Sequence, residues 1–210
     1  ISGVASPPNQ ASFSASPGIV ALCSSDSNYI VDRRRFYSAN DLHTHRGPDE
    51  GGTSFYNGAA LGSRRLSIID LSVDGNQPMR SPSGRFVVTF NGEIYNYRDL
   101  RGELESKGVV FRTDGDTEVL LQALVVWGEG ALEKLDGMFA FAACDLQAGT
   151  LLLAVDRFGQ KPMVWTELDG GFVAFGSELQ ALRCHPQLNE SWDNLALVRM
   201  LNFNAPPAPQ

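Results

Sequence analysis

Three short segments of the chain carry side chains whose types could do chemistry. Arg64 and Arg65 precede an apolar run, and a guanidinium can grip a substrate carboxylate through two parallel hydrogen bonds. Asp116 precedes a second apolar run, where its carboxylate could pair with a substrate ammonium group. Asn91 and Gly92 follow an alternating strand, and an amide side chain with a free backbone N–H could form an oxyanion hole.

Each of these segments also has a purely structural interpretation. Two arginines ahead of an apolar run are usually solvated, and Asp116 stands where a helix N-cap would stand. Asn91-Gly92 is the strongest short signal for a type I′ hairpin turn, although the sequence turns helical soon afterwards instead of supplying a second strand. Local pattern alone leaves both interpretations of each segment open.

Other catalytic signatures give no stronger signal. His43, His45 and His185 lack the spacing of metal ligands, and we expect no metal site in the chain. Asp156-Arg157 follows an apolar strand and is most simply an ion pair at a turn. The sequence contains no phosphate loop, no HExxH and no GxSxG motif.

The elements that must position these residues are mostly strands. Six segments have strand character, and turn glycines separate the later ones: 18–23, 86–90, 138–144, 150–155, 162–167 and 172–176. Three segments have helical periodicity, and the first two end at Gly108 and Gly128: 98–107, 117–127 and 192–202. Antiparallel meanders interrupted by helices predict an α+β fold.

Composition narrows the class of protein. The 210 residues have a net charge of -7, which argues against nucleic acid or an anionic membrane as partner, and no apolar stretch is long enough to span a membrane. Three cysteines without a CxxC pair are typical of reduced thiols in a cytoplasmic protein. We expect a flexible arm over residues 1–16, because its uncharged Ser, Pro and Ala cannot bury a core, and the start of a linker over 204–210.

Eight motifs together resemble one family. They occur in the order and spacing of glutamine-hydrolysing asparagine synthetases: RGPDEGG (46–52), RRLSIIDLS (64–72), QPM (77–79), NGEIYNYRDLR (91–101), DTEVLL (116–121), LDGMFAF (135–141), DRFGQKP (156–162) and GSELQAL (176–182). The chain resembles the N-terminal glutaminase domain of that family. The resemblance implies a class II glutamine amidotransferase domain over residues 17–203. It also implies the N-terminal-nucleophile (Ntn) hydrolase fold, an αββα sandwich of two mainly antiparallel sheets.

The resemblance also implies roles for individual residues in binding glutamine. Arg65 matches the arginine that holds the α-carboxylate, and Asp116 matches the acid that receives the α-ammonium. Asn91 and Gly92 match the oxyanion hole, and Glu93 matches the neighbouring pocket position. Four residues match the adjoining pocket wall, namely Leu66, Ser67, Ile68 and Ile69.

The chain departs from the family at the nucleophile. The family begins its mature chain with a cysteine whose thiol attacks the amide and whose free amine serves as base. The register of the first strand places Pro17 at that position, and proline offers neither group. In a rival register Ser2 replaces the cysteine, but about fifteen inserted residues are then needed before His45. Cys23 lies inside an apolar run and is expected to be an inert core residue.

The resemblance implies two alternative functions. In the first, the domain hydrolyses glutamine and passes ammonia to a C-terminal synthetase domain, which forms an amide with ATP. Mg and ATP would then belong only to that second domain, and this chain would need no cofactor. In the second, the domain is a catalytically dead structural domain, as in β-lactam synthetase-like proteins. The expected partners are glutamine, the synthetase domain and a second copy in a homodimer.

Overall fold

Two antiparallel sheets face each other in the structure, which is a computed structural model. It describes residues 17–24, 31–48, 50–65 and 75–182, together with the isolated positions 185, 187, 188, 191, 194 and 198. The side chains of Glu50 and Arg65 are outside this description. The predicted arm (1–16), the predicted linker (204–210) and nearly all of the predicted helix 192–202 also lie outside the described residues.

Within the described ranges, the first sheet has five strands in the order β2-β3-β1-β9-β8. Their bounds are β1 Gly18–Ser24, β2 Glu50–Tyr56, β3 Ala59–Arg65, β8 Val164–Leu168 and β9 Phe172–Gly176. All neighbours pair antiparallel, and β1 lies between β3 and β9. The central strand of this sheet is therefore also the first described strand of the chain.

The second sheet, in the part of the chain that the structure describes, has four strands in the order β4-β5-β6-β7. Their bounds are β4 Met79–Arg80, β5 Phe86–Ile94, β6 Gly137–Asp145 and β7 Thr150–Val155. β5 pairs with β6 along its whole length but with β4 at only two positions. Among the described residues, no strand pairs with this edge of β5 beyond β4.

Helices cover the outer faces of both sheets. α1 (Arg33–Asp41) and α4 (Leu179–Leu182) pack on the first sheet, and α2 (Tyr97–Ser106) and α3 (Asp116–Trp127) pack on the second. A 3₁₀ helix, Gly128–Lys134, follows α3 directly. The four layers form the predicted αββα sandwich.

The core that the described residues form consists of three apolar clusters, because residues alternate along the strands. On β1, Ile19 faces the second sheet, whereas Val20 faces α1. On β5, Val87 faces the first sheet, whereas Val88 packs in the cluster under α2 and α3. None of the helices in the described part of the chain is long and apolar enough to cross a membrane.

The predicted helix ends are confirmed, but α1 was not predicted. Gly108 and Gly128 follow α2 and α3 with positive φ values of 87° and 59°. α1 begins after Asp32, whose carboxylate accepts hydrogen bonds from the amides of Arg34 and Arg35 at 3.0 and 3.3 Å. Because arginines fill its first turn, the apolar stripe of α1 is short and gives only a weak periodic signal in the sequence.

Candidate functional site

Asn91 lies inside β5 and not in a hairpin turn. The strand continues to Ile94, so the hairpin interpretation is wrong. Thr89 on the same strand face donates to the carbonyl of Gly62 in the first sheet at 3.2 Å, which places the Asn91 side chain between the two sheets. The side-chain amide of Asn91 is completely buried, and neither of its polar atoms has a partner among the described residues.

Gly92 is a position where no larger residue fits. A Cβ there would lie 2.1 Å from the carbonyl oxygen of Met138. The opposing residue on β6 is Phe139. Its N–H donates to the carboxylate of Asp156 at 3.1 Å, and its carbonyl oxygen accepts the amide of Asp156 at 2.8 Å. Gly92 and Phe139 therefore form a non-hydrogen-bonded pair, in which the Gly92 N–H points away from β6.

The neighbouring amides define the edge of β5 on which the Gly92 N–H lies. The amide of Phe90 donates to the side-chain oxygen Oε1 of Gln77 at 2.6 Å. The amide of Ile94 donates to the carboxylate of Asp116 at 3.1 Å. Because alternate strand amides share an edge, the Gly92 N–H lies between these two occupied positions.

Asp116 is the first residue of α3 rather than its N-cap, which is Gly115, so the capping interpretation is wrong. Its side chain is buried, and the residue is only 8% exposed. Burial raises the pKa of Asp116 to about 6, although hydrogen bonds from the amides of Ile94 and Thr117 oppose the shift. A cation against this carboxylate would favour its charged form and lower the pKa.

Glu93 and Lys161 bring opposite charges to the same region. Burial lowers the pKa of Lys161, the negative charge of Glu93 opposes that shift, and the positive charge of Arg46 adds to it. Glu93 also raises the pKa of Asp116. The three charged side chains of Glu93, Asp116 and Lys161 are therefore electrostatically connected through Glu93.

Asp156 holds a loop and forms no ion pair within the described residues, so the predicted pair with Arg157 is wrong. Its carboxylate accepts hydrogen bonds from the amides of Phe139, Phe158 and Gln160 at 2.9 to 3.1 Å. Burial would raise the pKa of Asp156, but these backbone hydrogen bonds outweigh it and keep the pKa below its usual value. The loop that carries Lys161 is thereby fixed to the start of β6.

The two arginines of β3 are only partly described. Arg64 forms an ion pair with Asp41 and its side chain is 20% exposed, so it is not a freely solvated residue. Arg65 ends β3 opposite Glu50, and its side chain lies outside the described residues. The four predicted wall residues also lie outside them, namely Leu66, Ser67, Ile68 and Ile69.

The start of β1 contacts a buried histidine that the sequence did not indicate as part of the site. Pro17 precedes Gly18, and a Cβ on Gly18 would lie 2.5 Å from Cβ of His43. His43 is completely buried, and neither ring nitrogen has a partner among the described residues. Burial lowers the pKa of His43 to about 4, against the opposing effect of Glu178, so the ring is neutral at pH 7.

Glu178 anchors the segment that carries this histidine. Its carboxylate accepts hydrogen bonds from His45 at 3.0 Å and Arg46 at 2.9 Å. The neighbouring Ser177 accepts the amide of Ile19 at 3.1 Å. Positions 45 and 46 and the start of β1 are therefore joined to the end of β9. Within the described ranges, no group of His, Cys, Asp and Glu side chains could hold a metal ion.

Comparison with known proteins identifies the family. A family model described as a glutamine amidotransferase domain matches residues 17–210. This chain belongs to that family. The match covers every predicted site residue, from Pro17 through Asp116.

The relatives of this glutamine amidotransferase domain include asparagine synthetases. Two glutamine-hydrolysing asparagine synthetases of Bacillus subtilis, numbers 3 and 1, are 31% and 42% identical over 194 and 170 residues. A putative one of Mycobacterium tuberculosis is 44% identical over 154 residues. These matches cover 91%, 81% and 69% of this chain but only 31%, 26% and 23% of the relatives. The predicted resemblance to the glutaminase domain of such proteins is confirmed.

Solved structures confirm the fold. The glutamine phosphoribosylpyrophosphate amidotransferase of B. subtilis, complexed with ADP and GMP, matches with a TM-score of 0.65 at 21% identity. The match covers 80% of this chain and 43% of that protein. A structure titled as the allosteric regulatory enzyme of purine biosynthesis gives a TM-score of 0.64 at the same identity and coverage. At this identity the likeness shows the fold alone, which is the predicted Ntn-hydrolase sandwich.

Proposed function

We propose that this glutamine amidotransferase domain binds free glutamine between β5 and the start of α3, and that it does not hydrolyse it. The observation that carries the proposal is the buried amide of Asn91, which has no partner among the described residues. Leaving a buried polar group unpaired costs about 1–3 kcal/mol, which a bound ligand with matching groups offsets. The Gly92 N–H, on the open edge of β5, offers a second donor close by.

In this proposal, the two ends of β5's open edge recognise the two ends of the amino acid. The side-chain amide oxygen of glutamine would accept from Asn91 and Gly92. The ammonium would pair with Asp116, which is held at Ile94, two residues further along the strand. Two strand residues span about 7 Å, which suits an extended glutamine. Arg65 would hold the carboxylate, beside a wall formed by Leu66, Ser67, Ile68 and Ile69.

The absence of hydrolysis rests on the register at Pro17. Pro17 directly precedes β1, and its nitrogen is already part of a peptide bond, so it supplies neither thiol nor amine. The family match begins at this residue, which supports the register over the rival one at Ser2. Ser2 lies outside the described residues. Cys23 lies six residues along β1, about 20 Å from Pro17, and is too distant to replace the nucleophile.

The role in a larger protein is a further part of the proposal. The chain spans less than a third of each asparagine synthetase named above, and these relatives are glutamine-hydrolysing by name. A homologue with an intact nucleophile would supply ammonia to an ATP-dependent synthetase domain, where Mg and ATP would bind. A second candidate function is that of a structural pseudo-glutaminase, which the proline at position 17 favours. Glutamine binding separates the two.

Titration calorimetry with glutamine tests the proposal. We expect the wild-type protein to bind glutamine, and Asp116→Asn to weaken the affinity by about tenfold or more, because an ammonium loses its charged partner. Asp114→Asn is the matched control, since this carboxylate is two residues away and fully exposed. It should leave the affinity unchanged. A wild-type protein without measurable affinity for glutamine would support the structural-domain function instead.

A further inference from the structure

Gln77, in the segment before β4, is hydrogen-bonded to three different elements. Its carbonyl oxygen accepts the hydroxyl of Ser63 on β3 at 2.8 Å. Its side-chain oxygen accepts the amide of Phe90 on β5 at 2.6 Å. Its side-chain nitrogen donates to the hydroxyl of Thr117 on α3 at 3.3 Å. These elements are the three that carry the proposed glutamine contacts.

Each of these partners is close in sequence to one of those contacts. Ser63 lies two positions before the arginine proposed to hold the carboxylate. Phe90 directly precedes the asparagine proposed to hold the amide, and Thr117 directly follows the aspartate proposed to hold the ammonium. Within the described part of the chain, Gln77 forms no hydrogen bond with the residues proposed to contact glutamine. Any effect of Gln77 on binding is therefore exerted through the neighbours of those residues.

The side chain of Gln77 also takes the place of a strand partner. β4 pairs with β5 only at Met79–Val88 and Arg80–Val87, so the amide of Phe90 lies beyond the reach of the short strand. Gln77 supplies the acceptor there through its side chain. Further along the same edge, the Asp116 carboxylate accepts a hydrogen bond from the amide of Ile94.

The side chains of Gln77 and Asp116 bind the backbone amides on either side of the open amide of Gly92. Gln77 accepts from the amide two residues before it, and Asp116 accepts from the amide two residues after it. The hydrogen bond from Gln77 to Thr117 also links these two side chains to each other, because Thr117 follows Asp116 in α3. The spacing between the Gly92 amide and the Asp116 carboxylate is thus held from both sides.

The backbone of Gln77 is confined from a fourth direction. A Cβ on Gly52 of β2 would lie 1.8 Å from the carbonyl oxygen of Gln77, so the strand approaches as closely as glycine permits. The first sheet therefore fixes the peptide, through Gly52 and Ser63, while the side chain reaches across to the second sheet and α3. Gln77 therefore couples the position of the first sheet to the positions of the second sheet and α3.

The geometry points to Gln77 as a positioning residue that sets the separation between the amide-binding and the ammonium-binding ends of the site. This inference rests on the proposed function, because it concerns the fit of glutamine to that site. A fixed separation selects for the length of the ligand side chain. Asparagine has the same end groups as glutamine but is one methylene shorter, so the ratio of the two affinities reports the separation directly.

The test compares glutamine and asparagine affinities of the wild-type protein and Gln77→Met by titration calorimetry. Methionine keeps the length and unbranched shape of glutamine but forms neither side-chain hydrogen bond. We expect a wild-type preference for glutamine of tenfold or more, since one methylene is worth about 10–200-fold in a fitted pocket. In Gln77→Met the glutamine affinity should fall about tenfold and the asparagine affinity much less, so that the preference largely disappears.

Two further variants isolate the effect. Thr117→Val removes only the bond to α3 and keeps the side-chain shape, so it should lower the preference in the same direction by a smaller factor. Gln147→Met makes the same chemical change at an exposed position in the turn between β6 and β7 and should change neither affinity. Melting temperatures of all variants separate the two roles, because lost stability alone would not alter the ratio measured on folded protein.

The outcomes are distinguishable. If folded Gln77→Met keeps the wild-type ratio, the inference is overturned and the proposed function stands. If Gln77→Met does not fold, Thr117→Val decides, and an unchanged ratio in that variant overturns the inference. A wild-type protein that binds no glutamine overturns the proposed function and this inference with it.

Discussion

The carboxylate of Asp116 accepts the amide hydrogen of Ile94 at 3.1 Å, so the first residue of α3 is tied to the last residue of β5. This bond places a buried carboxylate at the end of the strand edge that also carries the Gly92 amide. Among the described residues, the only other groups that hydrogen-bond to this carboxylate are the amides at the start of its own helix. The pair therefore combines structural attachment with a negative charge that has no ion-pair partner among the described residues.

Glutamine affinity should depend on pH through Asp116. Burial raises the pKa of this carboxyl to about 6, so it is protonated in the free protein below that pH. An ammonium ligand binds the charged form, and affinity should therefore rise about tenfold per pH unit up to about pH 6 and then level off. Titration calorimetry at about pH 5 and 7 measures this change. In Asp116→Asn the dependence should vanish, and equal wild-type affinities at both pH values would contradict the assignment.

Glu178→Gln should destabilise the protein at neutral pH. Partial burial raises the pKa of Glu178, but hydrogen bonds from Arg46, Gln180 and His45 outweigh it and bring the pKa down to about 2. Since the pKa is lowered by folding, the carboxylate stabilises the fold above about pH 4.5, and this contribution is lost as the pH falls toward 2. Because the side chain is 24% exposed, we expect about 1–2 kcal/mol at pH 7 rather than the full value.

Urea denaturation of Glu178→Gln and the wild-type protein measures this difference. Glu105→Gln is the matched control, because Glu105 forms an exposed ion pair with Arg101 at 3.0 Å on α2. Its free energy of unfolding should change by about 0.5 kcal/mol or less. Equal losses in the two variants would show that Glu178 is no more than a surface ion pair.

The chain should release glutamate from glutamine at the background rate, because Pro17 supplies neither a thiol nor a free amine. A coupled glutamate assay measures this. Turnover that survives Ser2→Ala and Cys23→Ser would contradict the register at Pro17, whereas loss of turnover in Ser2→Ala alone would support the rival register.

A repaired chain should regain some activity. A protein that begins at residue 17 and carries Pro17→Cys has a thiol and an α-amine on the same residue, next to β1. Recovery depends on orientation, since a misplacement of ~1 Å can cost about 100-fold. The same shortened chain with Pro17→Ala is the control and should remain inactive. If the repaired protein binds glutamine but releases no glutamate, the pocket itself has changed and the structural role gains support.

Cys23 should react slowly with alkylating reagents. Its sulfur lies 3.7 Å from that of Cys144 across the two sheets. The hydrogen bond with Cys144 raises the pKa of Cys23 well above its usual value, and burial adds to the shift, so little thiolate exists at pH 7. Mass spectrometry after treatment with iodoacetamide measures the rate at each cysteine. Alkylation of Cys23 as fast as that of free cysteine would show a reactive thiol and reopen its candidacy as nucleophile.

Much of the fold was predictable because its strands have local signals. The predicted segments 18–23, 138–144, 150–155 and 172–176 each agree with a strand to within one residue at either end. Their turns contain glycines with positive φ, such as Gly149 at 66°. The β5 strand was predicted too short, because pairing with β6 as far as Ile94–Gly137 overrides the local preference of Asn-Gly for a turn.

The site was predictable only in its residue types. Sequence alone left open whether Asn91-Gly92 forms a turn and whether Asp116 caps a helix. Packing between the sheets buries Asn91, and a one-residue shift of the helix start places Asp116 inside α3. The contributions of His43 and Gln77 depend on contacts with residues distant in the chain. His43 packs against Gly18, and Gln77 bonds to Thr117, 40 residues away. No local pattern contains such contacts.

The position of β1 between β3 and β9 also governs how the protein reaches its folded state. Val20 pairs with Gly62 on one side and with Gly176 on the other, so the central strand is completed by a segment more than 150 residues downstream. Contacts of such long range slow folding, because a large loop must close before they form. A nascent chain emerging from the ribosome cannot finish its first sheet until almost all of the domain has been synthesised. The strand that follows residue 17 is therefore completed only after β9 has been synthesised.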